Sequence, residues 1–186
     1  MRAKPAVFLD RDGVINASPG SGYVRRWEEF RFLPGSREGI RALTDAGWPI
    51  FVVTNQSGIA QGFYTAQDFD AITARMLEAI QAAGGRITGI FHCPHAPTSD
   101  CACRKPRRGL IDQACRQQPV ALAESFLVGD DVKDLELGRT IGCRTVLVLS
   151  GRTSRERAAE LPPPDHLCAD LREAADWIIG QRRSAA

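Results

Sequence analysis

The chain has 186 residues, enough for one well-formed hydrophobic core and too few for two domains of ordinary size. Its 24 basic and 22 acidic side chains nearly cancel, which excludes a protein built mainly to neutralise a nucleic-acid backbone. With 44% hydrophobic and 25% charged residues the composition is that of a globular protein, neither disordered nor fibrous.

In chain order, the first apolar run covers residues 6–9 and opens directly on Asp10-Arg11-Asp12-Gly13. The few residues before it form neither a signal-peptide core nor a membrane span, so a cytoplasmic location with no membrane partner is expected. Residues 16–32 follow as a long loop carrying Ser21-Gly22-Tyr23-Val24, and then a helix marked by Ile40 and Leu43 closes at Gly47. The next strand, 50–53, runs into Thr54-Asn55-Gln56-Ser57-Gly58. A helix starting at Thr65 has the capping-box pattern Thr-Ala-Gln-Asp and aligns Phe69, Ile72, Met76 and Ile80 on one face.

A third strand is expected over 87–91, followed by a cysteine- and histidine-rich loop over 93–103 and a helix over 110–116. The fourth strand, 125–128, ends on Gly129-Asp130-Asp131 with Asp134 beyond, and leads into a helix over 133–141. A fifth strand over 145–149, a proline-rich turn over 161–165 and a helix over 171–179 capped by Asp170 complete the order, leaving residues 181–186 as a frayed tail. Strands alternating with helices predict an α/β fold: a single Rossmann-like domain with a mostly parallel sheet, helices on both faces, a minimal cap and a zinc-binding loop.

Three of these strands end on polar groups, and in an open α/β sheet that rim is where ligands bind. One aspartate after a strand is more often a helix N-cap or turn former than a catalyst. Several on one rim would repel one another unless a cation lay among their oxygens, and a small set of hard oxygen ligands suits Mg²⁺. Cys93, His95, Cys101 and Cys103 supply three thiolates and one imidazole within eleven positions, the donor set of a closed, structural Cys₃His zinc site. His92 is the competing imidazole, at the end of a strand with its side chain turned elsewhere; Cys115, Cys143 and Cys168 read as small buried side chains.

The ordered set Asp10 and Asp12, Thr54, Lys105, then Asp130 and Asp131 resembles the haloacid dehalogenase (HAD) superfamily of phosphatases and spans most of the chain. The resemblance implies that Asp10 attacks phosphorus, that Asp12 handles the proton of the leaving group and then of water, and that Thr54, Asn55 and Lys105 hold the phosphoryl oxygens. Mg²⁺ would be held by Asp10, Asp130 and the backbone carbonyl of Asp12, with Asp131 a further candidate. Within the superfamily, the Cys-X-His, Cys-X-Cys-Arg-Lys-Pro run resembles the branch of heptose-bisphosphate and histidinol-phosphate phosphatases, the former serving lipopolysaccharide precursor synthesis. The stretch 54–62 and Gly22-Tyr23-Val24 look more like the heptose enzymes, although Gln61 stands where those carry Arg; the short zinc loop also fits the histidinol enzymes.

Ser21, Gly22, Tyr23, Gln56, Ser57 and Arg104 join Thr54, Asn55 and Lys105 as expected substrate contacts. The expected partner is a small phosphorylated metabolite, with the chain acting as a monomer or small homo-oligomer. Arg107 and Arg108 read equally as a solvated pair or as anion ligands, and a non-catalytic zinc-stapled binding module is the alternative from another class.

Overall fold

A computed structural model of the chain describes residues 3–18 and 22–183. Six strands, β1 (Val7–Leu9), β2 (Ile50–Asn55), β3 (Gly89–Cys93), β4 (Phe126–Gly129), β5 (Arg144–Val148) and β6 (His166–Cys168), form one sheet in the order β3-β2-β1-β4-β5-β6. Every neighbouring pair is parallel. The strand order reverses between β1 and β4, so the crevice beyond their carboxyl ends is the place this topology reserves for a ligand.

Among the described residues five α-helices cross between the strands, α1 (Ser36–Asp45), α2 (Ala66–Ala82), α3 (Gly109–Gln117), α4 (Val132–Ile141) and the short α5 (Arg155–Ala158), and α6 (Leu171–Arg183) follows β6. Because strand side chains alternate between faces, Val7, Leu9, Ile50 and Val52 pack with α1, α2 and α6, while Ala6, Phe8, Phe51 and Val53 pack with α3 and α4. Leu147 continues the second face against Leu135 of α4 and Ala158 of α5. Both faces of the sheet are therefore covered, which is why the central strands are apolar throughout instead of alternating.

Local signals agree with this arrangement. Thr65 caps α2 in a reciprocal capping box with Asp68, worth roughly 1 kcal/mol, and the buried face of α2 is Phe69, Ile72, Met76 and Ile80. Gly47, at φ +76°, ends α1 in the left-handed conformation. Asp170 accepts from the backbone N–H groups of Arg172 and Glu173 as the cap of α6.

Some boundaries differ from expectation. β3 starts two residues later than the apolar pattern suggests, because its ladder with β2 pairs Phe51 with Gly89 and Asn55 with Cys93. That shift makes Cys93 part of the strand. β6 and α5 escaped the sequence reading: three residues after a triple proline carry no periodicity, and β6 exists through pairing with β5. Asp165 pins that turn by accepting from both the N–H and the hydroxyl of Thr145. α6 continues to Arg183, past the expected start of the tail, and 184–186 lie outside the described residues.

Candidate active site

The chain leaves β1 at Leu9 and β4 at Gly129, delivering Asp10 and Asp130 to the switch point, and the first turn of α4 brings Asp134 back onto it. Carboxylate oxygens of Asp10, Asp130 and Asp134 lie within 4.8 Å of one another, and all three residues are buried. Lys105 reaches in from the opposite side, its Nζ 2.9 Å from Asp10 Oδ2 and 2.7 Å from Asp134 Oδ1. Asp130 Oδ2 accepts from the Arg152 N–H at 2.7 Å, and Gly13 and Gly151 flank it so closely that a Cβ at either would overlap the carboxylate.

The electrostatics favour a cation among these carboxylates. Burial, then the charges of Asp10 and Asp134, push the Asp130 carboxyl up to about 7. Burial raises Asp134 as well, against the pull of Lys105. Burial alone would lower the Lys105 ammonium, but Asp10 and Asp134 more than offset it, so it stays charged. Asp134 Oδ2 receives no hydrogen bond despite its burial. Three carboxylates, one ammonium and an orphaned oxygen fit a divalent cation with hard ligands.

Asp12 lies apart from that group. Its side chain sits in a cage of donors: Arg11 Nη2 at 3.0 Å from each oxygen, Asn16 Nδ2 at 2.9 Å and Gln56 Nε2 at 2.8 Å. Burial pushes its pKa up, but the Arg11 guanidinium and the three side-chain donors outweigh it and hold the carboxyl below its ordinary range.

Other expected residues divide. Thr54 lines a 40 Å³ depression with Asp10 and Asp130. Gly22, Tyr23, Ser57 and Arg104 line an adjoining 290 Å³ cavity, and Asp12, Asn55, Lys133 and Arg152 border both. Asn55 was expected on the phosphoryl oxygens, yet its amide clamps Lys105 from both sides, accepting from its N–H at 3.0 Å and donating to its carbonyl at 3.2 Å. Gln56 was expected on the substrate, and both ends of its amide are engaged within the protein. Asp131 turns from the acidic group to Lys133 Nζ, 3.1 Å away. Ser21 lies outside the described residues.

Arg107 donates to the Cys101 carbonyl at 2.7 Å and pairs with Asp100, while Arg108 pairs with Asp112 in the first turn of α3 at 2.9 Å, so both arginines are engaged within the protein. Asp134, noted in the sequence beyond Asp130 and Asp131, was given no role there, and Lys133 and Arg152 were not expected at the site. Asp134 stands four residues beyond Asp130, in the first turn of α4, and Arg152 lies in the loop beyond the end of β5.

The second ligand cluster lies beside Lys105 in sequence. Cys93 Sγ is 3.2 Å from Cys103 Sγ and 3.6 Å from Cys101 Sγ, and His95 Nδ1 is 3.5 Å from Cys93 Sγ and 3.2 Å from Cys103 Sγ. A zinc with Zn–S near ~2.3 Å sets tetrahedral edges of about 3.7 Å, so the set is close to the size that ion needs. The cysteines form no disulfide. His92 instead packs against Phe69 with the rings tilted, their centroids 4.2 Å apart.

The HAD-hydrolase-like family matches residues 102–174. A D-glycero-β-D-manno-heptose-1,7-bisphosphate 7-phosphatase of Pseudomonas aeruginosa is 37% identical over 177 residues, covering 95% of this chain and 99% of that protein. The chain belongs to the HAD-like phosphatases. The Helicobacter pylori enzyme of the same name is also 37% identical, over 93% of this chain and 96% of its own length. The crystal structure of D,D-heptose 1,7-bisphosphate phosphatase from Bordetella bronchiseptica, complexed with magnesium and phosphate, superposes with a TM-score of 0.89 at 37% identity over 95% of this chain and 99% of that one. Among the described residues of this HAD-like phosphatase no helix is long and apolar enough to cross a membrane.

Proposed function

We propose that this HAD-like phosphatase is a cytoplasmic, magnesium-dependent phosphomonoesterase that removes the 7-phosphate of D-glycero-D-manno-heptose 1,7-bisphosphate. The observation that carries the reading is the buried group of Asp10, Asp130 and Asp134 around Lys105 at the switch point of the sheet. Asp10 and Asp130 would hold Mg²⁺ with the Asp12 carbonyl, and the ion would neutralise the negative charge that otherwise keeps a carboxylate from a phosphate.

Asp10 attacks phosphorus; the bond to the leaving oxygen breaks as the Asp10–phosphorus bond forms, and Asp12 gives that oxygen its proton. The anionic phosphate arriving beside Asp12 raises its pKa and lets it carry that proton. Water then attacks phosphorus, Asp12 takes the proton back, and the Asp10–oxygen–phosphorus link opens to inorganic phosphate and free Asp10. Lys105 and Thr54 hold the transferred phosphoryl oxygens, and Lys105 is itself held by Asn55.

The larger cavity supports a bisphosphate. Arg11, Arg104, Lys133 and Arg152 line it against the single carboxylate of Asp12, a positive surface that adjoins the depression holding Asp10. Zinc bound by Cys93, His95, Cys101 and Cys103 would be structural, fixing the loop whose next residues are Arg104 and Lys105. The test is a substrate panel: heptose 1,7-bisphosphate should exceed histidinol phosphate by at least ~10²-fold in kcat/KM. Arg104→Ala should raise KM for the bisphosphate far more than for a monophosphate. Better turnover of histidinol phosphate, or equal effects of Arg104→Ala, overturns the substrate assignment.

A further inference from the structure

The Gln56 amide makes four hydrogen bonds, and their chemistry fixes its orientation. Arg11 Nη2 can only donate and lies 3.2 Å from Oε1; the Asp12 carboxylate can only accept and lies 2.8 Å from Nε2. The amide therefore presents Nε2 to Asp12 Oδ2 and, at 2.9 Å, to Thr54 Oγ1. Its oxygen accepts from Arg11 and from the Tyr64 hydroxyl, 2.5 Å away. Gln56 is 2% exposed, Thr54 1% and Tyr64 5%, so the chain of contacts is shielded from water. Space for it is made at Gly58, where a Cβ would collide with the rings of Tyr64 and Tyr23.

Two consequences follow from the donor and acceptor count. Since Thr54 Oγ1 accepts from Gln56, its own hydrogen is free to point into the depression shared with Asp10. One Gln56 N–H meets Asp12 Oδ2, and Arg11 and Asn16 complete the hold on that carboxylate.

We infer that Gln56, locked by Tyr64, is a positioning residue that sets the orientation of Asp12 and the hydroxyl polarity of Thr54: it borders the larger cavity, but both ends of its amide are held by the protein. The inference rests on the phosphatase reading, with Asp12 as the group that handles the proton. A buried hydrogen-bonded network of this kind holds one geometry, and a loosened acid–base group loses most where proton transfer limits the rate.

The test uses the full-length protein with Mg²⁺ and two substrates, p-nitrophenyl phosphate and an alkyl phosphate. Nitrophenolate leaves without help, so the Gln56→Met protein should still form the phosphoenzyme but hydrolyse it slowly. Rapid mixing should show a burst of about one nitrophenolate per chain and then a steady rate about 30-fold below wild type. The alkyl phosphate should lose a similar factor with no burst and with KM within about twofold, because acid catalysis now limits the first step, while KM for p-nitrophenyl phosphate should fall along with its steady rate as the phosphoenzyme accumulates. Tyr64→Phe, which removes one hydroxyl and keeps the ring, should repeat the pattern at about threefold, and it decides the matter if Gln56→Met does not fold. Uniform losses for both substrates without a burst, a rise in KM alone, or wild-type kinetics in Tyr64→Phe overturn the inference. Absence of wild-type phosphatase activity overturns the functional reading itself.

Discussion

The two ligand clusters of this chain are built on opposite plans. Cys93, His95, Cys101 and Cys103 come from eleven consecutive positions, Cys93 buried at the end of β3 and the other three at least partly exposed on the loop that follows it. Asp10, Asp130 and Asp134 come from two strand ends and a helix turn over a hundred residues apart in sequence, are buried, and exist as a group only because β1 and β4 are neighbours. The local cluster costs little chain entropy to assemble and can serve as a staple. The distant one concentrates like charge where water is excluded, and the energy of that arrangement is what a cation and a phosphate can release. Lys105 joins the two, two residues beyond Cys103 and in contact with Asp10 and Asp134.

Removing the proposed nucleophile separates the clusters most sharply. Asp10→Asn should lower kcat by at least ~10⁴-fold while leaving zinc content unchanged, because no acyl phosphate can form on the amide. Steady hydrolysis above background, measured as released phosphate, would place the chemistry elsewhere.

The opposite break is Cys101→Ser. It should reduce zinc below one per chain by metal analysis and lower Tm by roughly 10 °C, as a loss of about 3 kcal/mol implies for a chain of this size. Activity at low temperature should fall less than stability does, since Lys105 keeps its Asn55 clamp. A zinc-free protein of undiminished stability and activity would refute the staple.

The smallest effect concerns pH. Folded, metal-free Asp130 is raised to about 7, against about 3.9 unfolded. The folded apoprotein thus holds a proton that the unfolded chain has lost, and this group's contribution to stability, full below pH 4, declines as pH rises to 7. Mg²⁺ must displace that proton, so its affinity should weaken about tenfold per pH unit below 7 and level off above it. The Tm gain at fixed Mg²⁺ should accordingly be small at pH 5.5 and larger at pH 8; a gain independent of pH would separate Asp130 from the metal.

Much of this plan was legible from residue order. The capping box at Thr65, the stripe from Phe69 to Ile80 and the polar residues after β1, β2 and β4 each announce themselves within a few positions, since helix period and strand ends are local properties. β6 was not legible, because a three-residue edge strand is defined by its partner. Asp134 could be noted from its spacing but not given its role, because only the packing of α4 on β4 turns it toward Lys105.

What residue types decided, then, is the chemistry available: carboxylates, a lysine and a threonine at strand ends, and a soft-ligand set in one loop. What the tertiary structure decided is allocation. Asn55 and Gln56 follow Thr54 and look equally suited to a phosphate, yet one clamps Lys105 and the other holds Asp12. Asp131 adjoins Asp130 but faces Lys133. Neighbours in sequence are delivered to different partners because successive side chains leave a strand end in different directions, and no composition or spacing carries that direction.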